Sequence, residues 1–289
     1  MTSLQMPRAR AFGWKLRETG SSHFRILRRP NGQFCVVLNH GILRGVTCEM
    51  LRWWFLNFPN LRVRLIDVPG YEEQLVPAYL LWHPIDHYDA RLFGRLGPGG
   101  TARAGAGIHI REAMQYDRYG WRYPADTRIR IFYVGEDGWA MGKKIPMLGP
   151  VMMLRIHFHD VKEGDRALGV HYHYEVVIGV TGHGSAARFA NRRISAHFGP
   201  AFFDAWHRHN VIEVGVFENF LGPLFAQRNA AELRYERSMD PMAGMEQVGH
   251  GFSEAFFDRR VGGYEHASDP YQYQAFDRAS MVPEGVRHV

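Results

Sequence analysis

The sequence predicts one α+β domain in which an antiparallel sheet curves around a long helix, and three observations carry that prediction. Segments of strand type follow one another as far as residue 181 of the 289-residue chain. Residues 200–227 then repeat apolar side chains at intervals of three and four, which is the spacing of one buried helix face. Strands grouped ahead of a helix are typical of an α+β domain, and a cavity between sheet and helix is the natural ligand site.

The first elements are an apolar strand and an aromatic helix. Residues 34–39 form a short apolar run of strand type. Thr47 is a suitable N-cap for the helix that follows, and Glu49 lies in its first turn, where a negative charge complements the helix dipole. Trp53 and Trp54 follow at helical spacing, and we expect them to pack the helix on the sheet rather than to bind a ligand.

The segments that follow alternate between apolar and polar residues. Strands are predicted at residues 108–114, 128–134, 151–161 and 168–181. Residues 162–167 join the last two as a hairpin with Gly164 at its tip, and the glycine-rich residues 96–107 form a mobile loop between two other strands. The long helix after them is expected to break or kink at Gly222 and Pro223.

Three regions are predicted along the chain. Residues 1–33 mix charge, glycine and proline and look like an N-terminal arm, residues 34–235 form the domain, and residues 236–289 turn polar and resemble an extended tail. The basic start lacks the apolar core of a secretory signal, so cytoplasm is the expected location. No run approaches the length of about 18 apolar residues that a membrane span requires, so no membrane association is expected.

Composition narrows the classes of function. Cys35 and Cys48 are the only cysteines, so there is no disulfide framework and no CxxC site, and any metal must be held by histidines and carboxylates. The net charge of +6 raises the question of nucleic acid. The arginines are interleaved with acidic residues, however, and the one cluster at residues 188–193 is short, so a solvated surface or an anionic substrate is favoured instead.

The strongest local motif is the pair His209 and Glu213. At positions i and i+4 of a helix both side chains project from one face and reach a single ion. They lie inside the apolar stripe, and because an unpaired buried carboxylate is very costly, Glu213 requires a cation there. The alternative is that the two residues pair with each other, or that Glu213 pairs with an arginine.

Two further places offer ligands of the same kind. His83 and His87 flank a rigid turn at Pro84, and Glu112 lies on the apolar face of its strand, where it again requires a cation. Surface histidines and an edge-strand charge are the simpler alternatives. Two histidines and two glutamates form a nitrogen–oxygen set that suits Zn²⁺, with room for water to complete the coordination.

These motifs are similar to those of the diacetylphloroglucinol hydrolase and phloretin hydrolase family, zinc enzymes that cleave carbon–carbon bonds between an aryl ring and an acyl group. The resemblance rests on three segments in the family's order, Gly45-Val46-Thr47-x-Glu49-Met50-x-x-Trp53-Trp54-Phe55, Trp82-His83-Pro84-x-Asp86-His87, and His209-x-x-x-Glu213 with Phe220-Leu221-x-Pro223-Leu224. They span roughly residues 34–227, and their combination is specific although each segment alone is weak.

The resemblance implies a Bet v 1/START-like helix-grip fold with an N-terminal segment that helps to form a homodimer. The four zinc ligands that it implies are His87, Glu112, His209 and Glu213. His87 is preferred over His83 because it closes its motif and lies eight residues after Tyr79, as in the family. The choice between the two histidines stays open at this stage.

The resemblance also implies the catalytic roles. His157 and Glu213 are the expected catalytic residues, and Tyr79, Tyr172 and His83 are expected to bind the substrate. The alternative for His83 is a place behind the metal ligands or an outward orientation. In this reaction, metal-activated water attacks the acyl carbonyl after the ring carbon has been protonated, with His157 relaying the proton. The implied substrate is a small aromatic acylphenol.

Two observations limit these assignments. His157 and His159 share one strand face, and the simpler alternative is that they, with His171 and His173, are surface residues of the sheet. The family has an asparagine that contacts ring hydroxyls where this chain has Ala90, so the substrate is expected to differ from diacetylphloroglucinol. A carrier of apolar aromatic ligands, or a metal hydrolase of another ketone or an ester, are the alternative functions.

Overall fold

A large antiparallel sheet is the frame of the protein in the computed structural model, which describes residues 5–146, 149–239 and 271–273. Within those residues the strands are β1 Ser22–Arg28, β2 Phe34–His40, β3 Arg62–Ile66, β4 Leu75–Pro77, β5 His87–Phe93, β6 Gly107–Ala113, β7 Pro124–Val134, β8 Gly138–Ile145, β9 Gly149–Glu163, β10 Arg166–Ile178, β11 Leu233–Glu236 and β12 Tyr271–Tyr273. Nine of them form one sheet in the order β12-β1-β2-β10-β9-β8-β7-β6-β5, in which only the β12–β1 pair is parallel. Strands β11, β3 and β4 form a second, small sheet.

Five α-helices accompany the sheets in the part of the chain that the structure describes. They are α1 Cys48–Asn57, α2 Tyr116–Tyr119, α3 Ser185–Ser195, α4 Pro200–Gly215 and α5 Phe217–Ala226. One hydrophobic core joins inward-facing residues of the strands to α1, α4 and α5. The predicted α+β helix-grip class is therefore confirmed, with a bent C-terminal helix against a wide antiparallel sheet. Among the described residues, no helix has both the length and the apolar character that crossing a membrane requires.

Most of the predicted elements are present. Thr47 caps α1 by accepting a hydrogen bond from the backbone N–H of Met50 at 3.2 Å. Trp54 is fully buried, but its ring packs on Phe217 and Phe220 of α5 and not on the sheet as predicted. The β9–β10 hairpin turns at Gly164, whose φ of 58° lies in the left-handed region that favours glycine. The predicted loop 96–107 connects β5 to β6, and hydrogen bonds from its backbone to α1 and β7 hold it in place.

The bend of the long helix lies at a different place from the predicted one. Helices α4 and α5 meet at Val216, whereas Pro223 lies inside α5, so the prediction of a break at Gly222 and Pro223 is wrong. Pro223 removes one backbone hydrogen bond and crowds the preceding turn, but α5 continues through it to Ala226. The bend follows Gly215, and the side chain of Arg17 packs where that glycine would otherwise carry a Cβ.

The N-terminal region belongs to the domain, so the predicted boundary after residue 33 is wrong. Strand β1 pairs with β2 along its whole length. Phe12 and Trp14 are buried in the core, and the indole N–H of Trp14 donates to the hydroxyl of Tyr235 at 2.5 Å. An arm that buries aromatic side chains in the core cannot be independent of it. Its role in dimerisation stays a prediction, and most of the predicted tail 236–289 lies outside the described residues.

A buried ion pair fastens this region to the helix bend. The guanidinium of Arg17 donates to both carboxylate oxygens of Glu218 at 2.6 and 3.0 Å, and to the backbone carbonyls of Gly41 and Ile42. Glu218 also accepts from the backbone N–H of Arg44 at 2.7 Å. Both side chains are almost fully buried, so each charge depends on the other for its compensation.

Replacing Arg17 with methionine should lower the free energy of unfolding by about 3 kcal/mol, because it leaves Glu218 as an uncompensated buried charge. Arg64 and Glu232 offer a matched control, since they form the same two-pronged contact at 2.6 and 3.0 Å but remain about one-third exposed. Arg64→Met should cost about 1 kcal/mol or less. Chemical denaturation measures both, and equal losses would contradict this account.

Candidate metal centre

A cavity lies between the inner face of the sheet and α4. Half of its sixteen lining residues are aromatic, namely Phe55, Phe58, Tyr79, Trp82, Trp139, Tyr172, Tyr174 and Trp206. The others are Ile110, Glu112, Met141, Leu154, Ile156, His209, Asn210 and Glu213. The aromatic wall suits a small aromatic ligand, and the polar groups are confined to a few positions.

Four predicted ligands converge at one end of this cavity. His87 begins β5 and is directly paired with Glu112 of β6, while His209 and Glu213 lie one turn apart on α4. Both glutamate side chains are at least 85% buried and the histidines fully so, because the sheet register and the position of α4 direct all four inward. Residues from three elements thus meet at one point.

The distances among their donor atoms suit a single ion. The Nε2 atom of His87 lies 3.5 Å from Oε2 of Glu112 and 3.7 Å from Oε1 of Glu213. The Nε2 atom of His209 lies 4.0 Å from Oε2 of Glu112 and 3.9 Å from Oε2 of Glu213. Tetrahedral ligands at the usual zinc distances are about 3.3 Å apart, so the present spacing is slightly wider. The donor atoms of His87, Glu112 and His209 all lie within 4.8 Å of one another, and Glu213 turns one oxygen toward each histidine.

Hydrogen bonds at Nδ1, the ring nitrogen that faces away from the glutamates, fix the orientation of both histidines. The Nδ1 atom of His87 bonds to the backbone carbonyl of Tyr79 at 3.0 Å, and that of His209 bonds to Oδ2 of Asp86 at 2.8 Å. When neutral, each ring is therefore held as the tautomer that leaves Nε2 without a proton. Both Nε2 atoms are buried and lack a hydrogen-bond partner among the described residues, as expected if they bind a cation.

Asp86 organises the centre although it does not face the cavity. Its carboxylate is fully buried and accepts from the backbone N–H groups of Gln115 and Tyr116 at 2.8 and 2.7 Å, in addition to His209. Burial by itself would raise the pKa of Asp86, but the hydrogen bonds and its histidine neighbours lower it well below the usual range. Asp86 therefore stays ionised and fixes the ring of His209.

His83 lies behind the centre and not in the cavity, so its predicted contact with the substrate is wrong. Its Nδ1 atom accepts hydrogen bonds from the backbone N–H groups of Ile85 and Asp86, and its ring stacks on His209 at 4.7 Å. Burial lowers its pKa to about 3, so the ring is neutral and carries its proton on Nε2. A protonated Nε2 is not a metal donor, and this favours His87 as the ligand.

Excess negative charge is compensated by protons in the metal-free protein. Burial raises the pKa of Glu213 to about 8 and also raises that of Glu112. Burial alone would lower the pKa of His209, but Asp86 and the two glutamates raise it to about 9. At neutral pH the site therefore binds protons where a divalent cation would otherwise supply the positive charge.

Zinc binding should strengthen as the pH rises from about 6 to about 9, because Glu213 and His209 must release protons to bind metal. Their pKa values are raised in the folded state, so protonation stabilises the metal-free protein at low pH, and that stability is lost as the pH passes about 8 and 9. The increase in melting temperature caused by zinc should therefore grow across this range. Thermal melts in a zinc-buffering chelate test it, and an increase that shrinks with pH would contradict it.

The two predicted substrate-binding tyrosines both line the cavity. The hydroxyl of Tyr79 donates to Glu112, and its ring stacks on His87 with centroids 3.9 Å apart, so it supports two ligands. Tyr172 presents its side chain to the cavity from β10. Burial raises the pKa of Tyr172 well above its usual value, so the hydroxyl remains a donor.

The predicted catalytic His157 lies on the opposite face of the sheet, and that assignment is wrong. Ile156 and Phe158 on either side of it point into the core, and strand alternation sends His157 the other way. In the β9–β10 register Tyr172 is paired with Phe158, whereas His157 is paired with His173. Tyr172 and His157 therefore cannot both face the cavity.

Four residues that shape the site were not assigned from the sequence. Asp86 lies in the motif of residues 82–87, but the sequence assigned it no role. Asn210 lines the cavity, and its side chain contacts His40, whose inward position follows from strand alternation after Leu38. Arg10 is buried, and its guanidinium donates to the backbone carbonyl of His83 while its own backbone N–H donates to Pro84. Of these four residues only His40 has a signal in the sequence that could have identified it, namely the alternation along β2.

Comparison with known proteins gives little beyond the architecture. No family model matches the chain, and no curated protein matches it. The chain is similar to a START superfamily protein from Mycobacterium smegmatis, at 12% identity over 62% of this chain and 97% of that one, with a TM-score of 0.31. It is also similar to a protein from Rhizobium leguminosarum, at 10% identity over 64% and 94% of the two chains, with a TM-score of 0.26. At these scores the likeness carries no inference about function.

Proposed function

We propose that this protein is a zinc-dependent hydrolase that cleaves the carbon–carbon bond between an acyl group and a phenolic ring. One observation carries the proposal: two buried imidazole nitrogens without partners and two buried carboxylates point to a common position at the end of an aromatic cavity. The nitrogen–oxygen donor set suits Zn²⁺. The likeness of the motifs to the diacetylphloroglucinol and phloretin hydrolases supplies the reaction.

One group of residues would hold the metal, and another would hold the ring of the substrate. His87, Glu112, His209 and Glu213 would hold the ion. When bound, zinc supplies a Lewis acid that polarises a carbonyl group and eases the deprotonation of water. The acyl end of a substrate would therefore lie toward the glutamates, and its ring would lie among the aromatic side chains of the wall.

The aryl leaving group is the chemical difficulty, because an aryl carbanion is a very poor leaving group. A phenol avoids it by passing to its keto form, in which the ring carbon that bears the acyl group has gained a proton. Hydrolysis then adds the hydroxyl of water to the acyl carbon and breaks its bond to the ring. The electron pair of that bond restores the aromatic ring as a phenolate, whose oxygen takes up the other proton of water, and the proton gained earlier stays on the ring carbon. Tyr172 is placed to donate a hydrogen bond to a ring oxygen, and its raised pKa keeps it protonated.

Because His157 faces away from the cavity, the expected path of the proton changes. No histidine other than His209 lines the cavity among the described residues, and His209 is bonded to Asp86. We therefore assign the ring proton to the substrate's own phenol, with Tyr172 as the group that holds the ring oxygen. His157→Ala should accordingly leave turnover unchanged.

A carrier of apolar aromatic ligands is the second candidate, and the mainly aromatic wall favours it. It does not account for two buried carboxylates that face two unpartnered imidazole nitrogens. A metal hydrolase of another ketone or an ester would account for them equally well. The choice among the three depends on turnover.

Metal analysis and a substrate panel test the proposal together. Protein purified without chelators should contain about one zinc ion per chain. It should release a carboxylic acid and a phenol from acylphenols such as 2,4-dihydroxyacetophenone, but should not cleave β-diketones or phenyl esters. If the protein contains zinc but cleaves only β-diketones or phenyl esters, the proposed metal centre stands and the proposed reaction is wrong. Binding of acylphenols without zinc or turnover would favour the carrier.

A further inference from the structure

The amide of Asn210 is a polar group of the cavity to which the proposed function gives no role. It follows His209 on α4 and is 2% exposed. Its Oδ1 atom lies 3.1 Å from Nε2 of His40, and its Nδ2 atom donates to Oε2 of Glu213 at 3.1 Å. The amide thus joins a buried histidine to a residue of the metal centre.

The orientation of this amide is determined by its two neighbours. The nitrogen of Asn210 faces Glu213, to which it donates a hydrogen bond, and the oxygen of Asn210 faces His40. His40 then has to donate from Nε2, and burial keeps its ring neutral by lowering its pKa well below the usual value. The reversed amide would place its oxygen against the carboxyl group of Glu213 and its NH₂ group against Nε2 of His40, and would exchange both hydrogen-bond roles.

This orientation leaves one amide hydrogen available to a ligand. The nitrogen of Asn210 carries two hydrogens, and Glu213 is its only acceptor among the described residues. Because Asn210 lines the cavity, the second hydrogen is available to an oxygen that lies beside the metal centre. In the proposed function that oxygen belongs to the acyl group.

We infer that Asn210 selects ligands that carry an acceptor oxygen next to the metal, and that it positions Glu213 with its other N–H. His40 is a positioning residue that acts through Asn210 by holding the amide the right way round. The inference rests on the proposed function for the identity of the ligand. The hydrogen-bond chain itself rests only on the geometry of the three residues.

The role of His40 is tested by two substitutions of similar size. His40→Gln retains an N–H donor near the position of Nε2, whereas His40→Leu does not. Zinc affinity, measured by competition with a chromogenic chelator, should fall about tenfold or more for His40→Leu, as is usual for partners of metal ligands. It should stay within about threefold of the wild type for His40→Gln. Equal losses in both variants, with melting temperatures unchanged, would overturn this role.

The role of Asn210 is tested in metal-free protein with two ligands of similar shape. 2,4-Dihydroxyacetophenone carries a carbonyl oxygen, and 4-ethylresorcinol carries a methylene group in its place. Tryptophan fluorescence reports binding, because Trp82, Trp139 and Trp206 line the cavity. Asn210→Ala should weaken binding of the ketone about threefold to tenfold and leave binding of the ethyl compound almost unchanged.

The outcomes separate this inference from the proposed function. Wild-type protein that binds no zinc and cleaves no acylphenol would contradict the proposed function, and the fluorescence comparison would still decide the role of Asn210. If Asn210→Ala weakens both ligands equally, or neither, the selective role is wrong even in an active zinc enzyme. A wild type that binds the ethyl compound as tightly as the ketone would also count against it.

Discussion

Protein with glutamine in place of Glu213 should fold, contain no stoichiometric zinc and cleave no acylphenol. Glutamine keeps the length of the side chain and an oxygen that can accept from Asn210 at 3.1 Å. It removes the charge that lies 3.7 and 3.9 Å from the two imidazole nitrogens. Loss of a direct ligand should exceed the factor of about 10–100 that is usual for loss of a partner of a ligand. Metal analysis after gel filtration and an acid-release assay measure the two effects.

A stability measurement separates this result from misfolding. Burial raises the pKa of Glu213 to about 8, so ionisation of that carboxyl costs stability in the metal-free protein as the pH rises toward and beyond that value. A neutral glutamine has no such cost, and metal-free Glu213→Gln should be at least as stable as metal-free wild type at pH 9. Glu136→Gln, with a side chain 87% exposed, is the surface control and should keep zinc and activity. Retained turnover in metal-free Glu213→Gln would refute the zinc hydrolase.

The second large effect is expected from Asp86→Asn, which should lower both stability and zinc affinity. The wild-type carboxylate accepts three hydrogen bonds, from His209 and from the backbone N–H groups of Gln115 and Tyr116. An asparagine turns an NH₂ group toward at least one of these donors. The free energy of unfolding should fall by about 3–5 kcal/mol, the usual cost of leaving buried charge or polar groups uncompensated. Zinc affinity should fall by about 10–100-fold because His209 loses its orientation.

Asp126 provides a matched control for this variant. Its carboxylate contacts Nε2 of His109 at 2.6 Å, which is the same pair of groups as Asp86 and His209, but its side chain is 51% exposed. Asp126→Asn should change stability by about 1 kcal/mol or less and leave zinc binding intact. The lowered pKa of Asp86 also implies that its stabilising contribution is present near neutral pH and is lost on acidification. Similar losses in the two variants would mean that Asp86 has no special role at the metal centre.

Local patterns predicted much of the fold correctly. The cap at Thr47 and the alternation that turns Ile108, Ile110 and Glu112 inward depend on neighbours within a few positions. The helix bend was predicted wrongly because Pro223 is tolerated inside α5, whereas the bend follows Gly215, against which Arg17 packs from a distant part of the chain. The N-terminal boundary was wrong for the same reason, since Trp14 reaches its place by packing against residues from the far end of the domain.

In the site, the sequence by itself determined that His209 and Glu213 share one helix face and that Tyr172 can face inward, because both depend on a local period. Tertiary structure decided that His87 rather than His83 joins them, and that His157 faces away. It also placed Asp86 behind His209. These outcomes depend on strand register and on the approach of α4 to β5 and β6, which are long-range contacts. A helix period places two ligands, but only the packed sheet brings the other two to the same point.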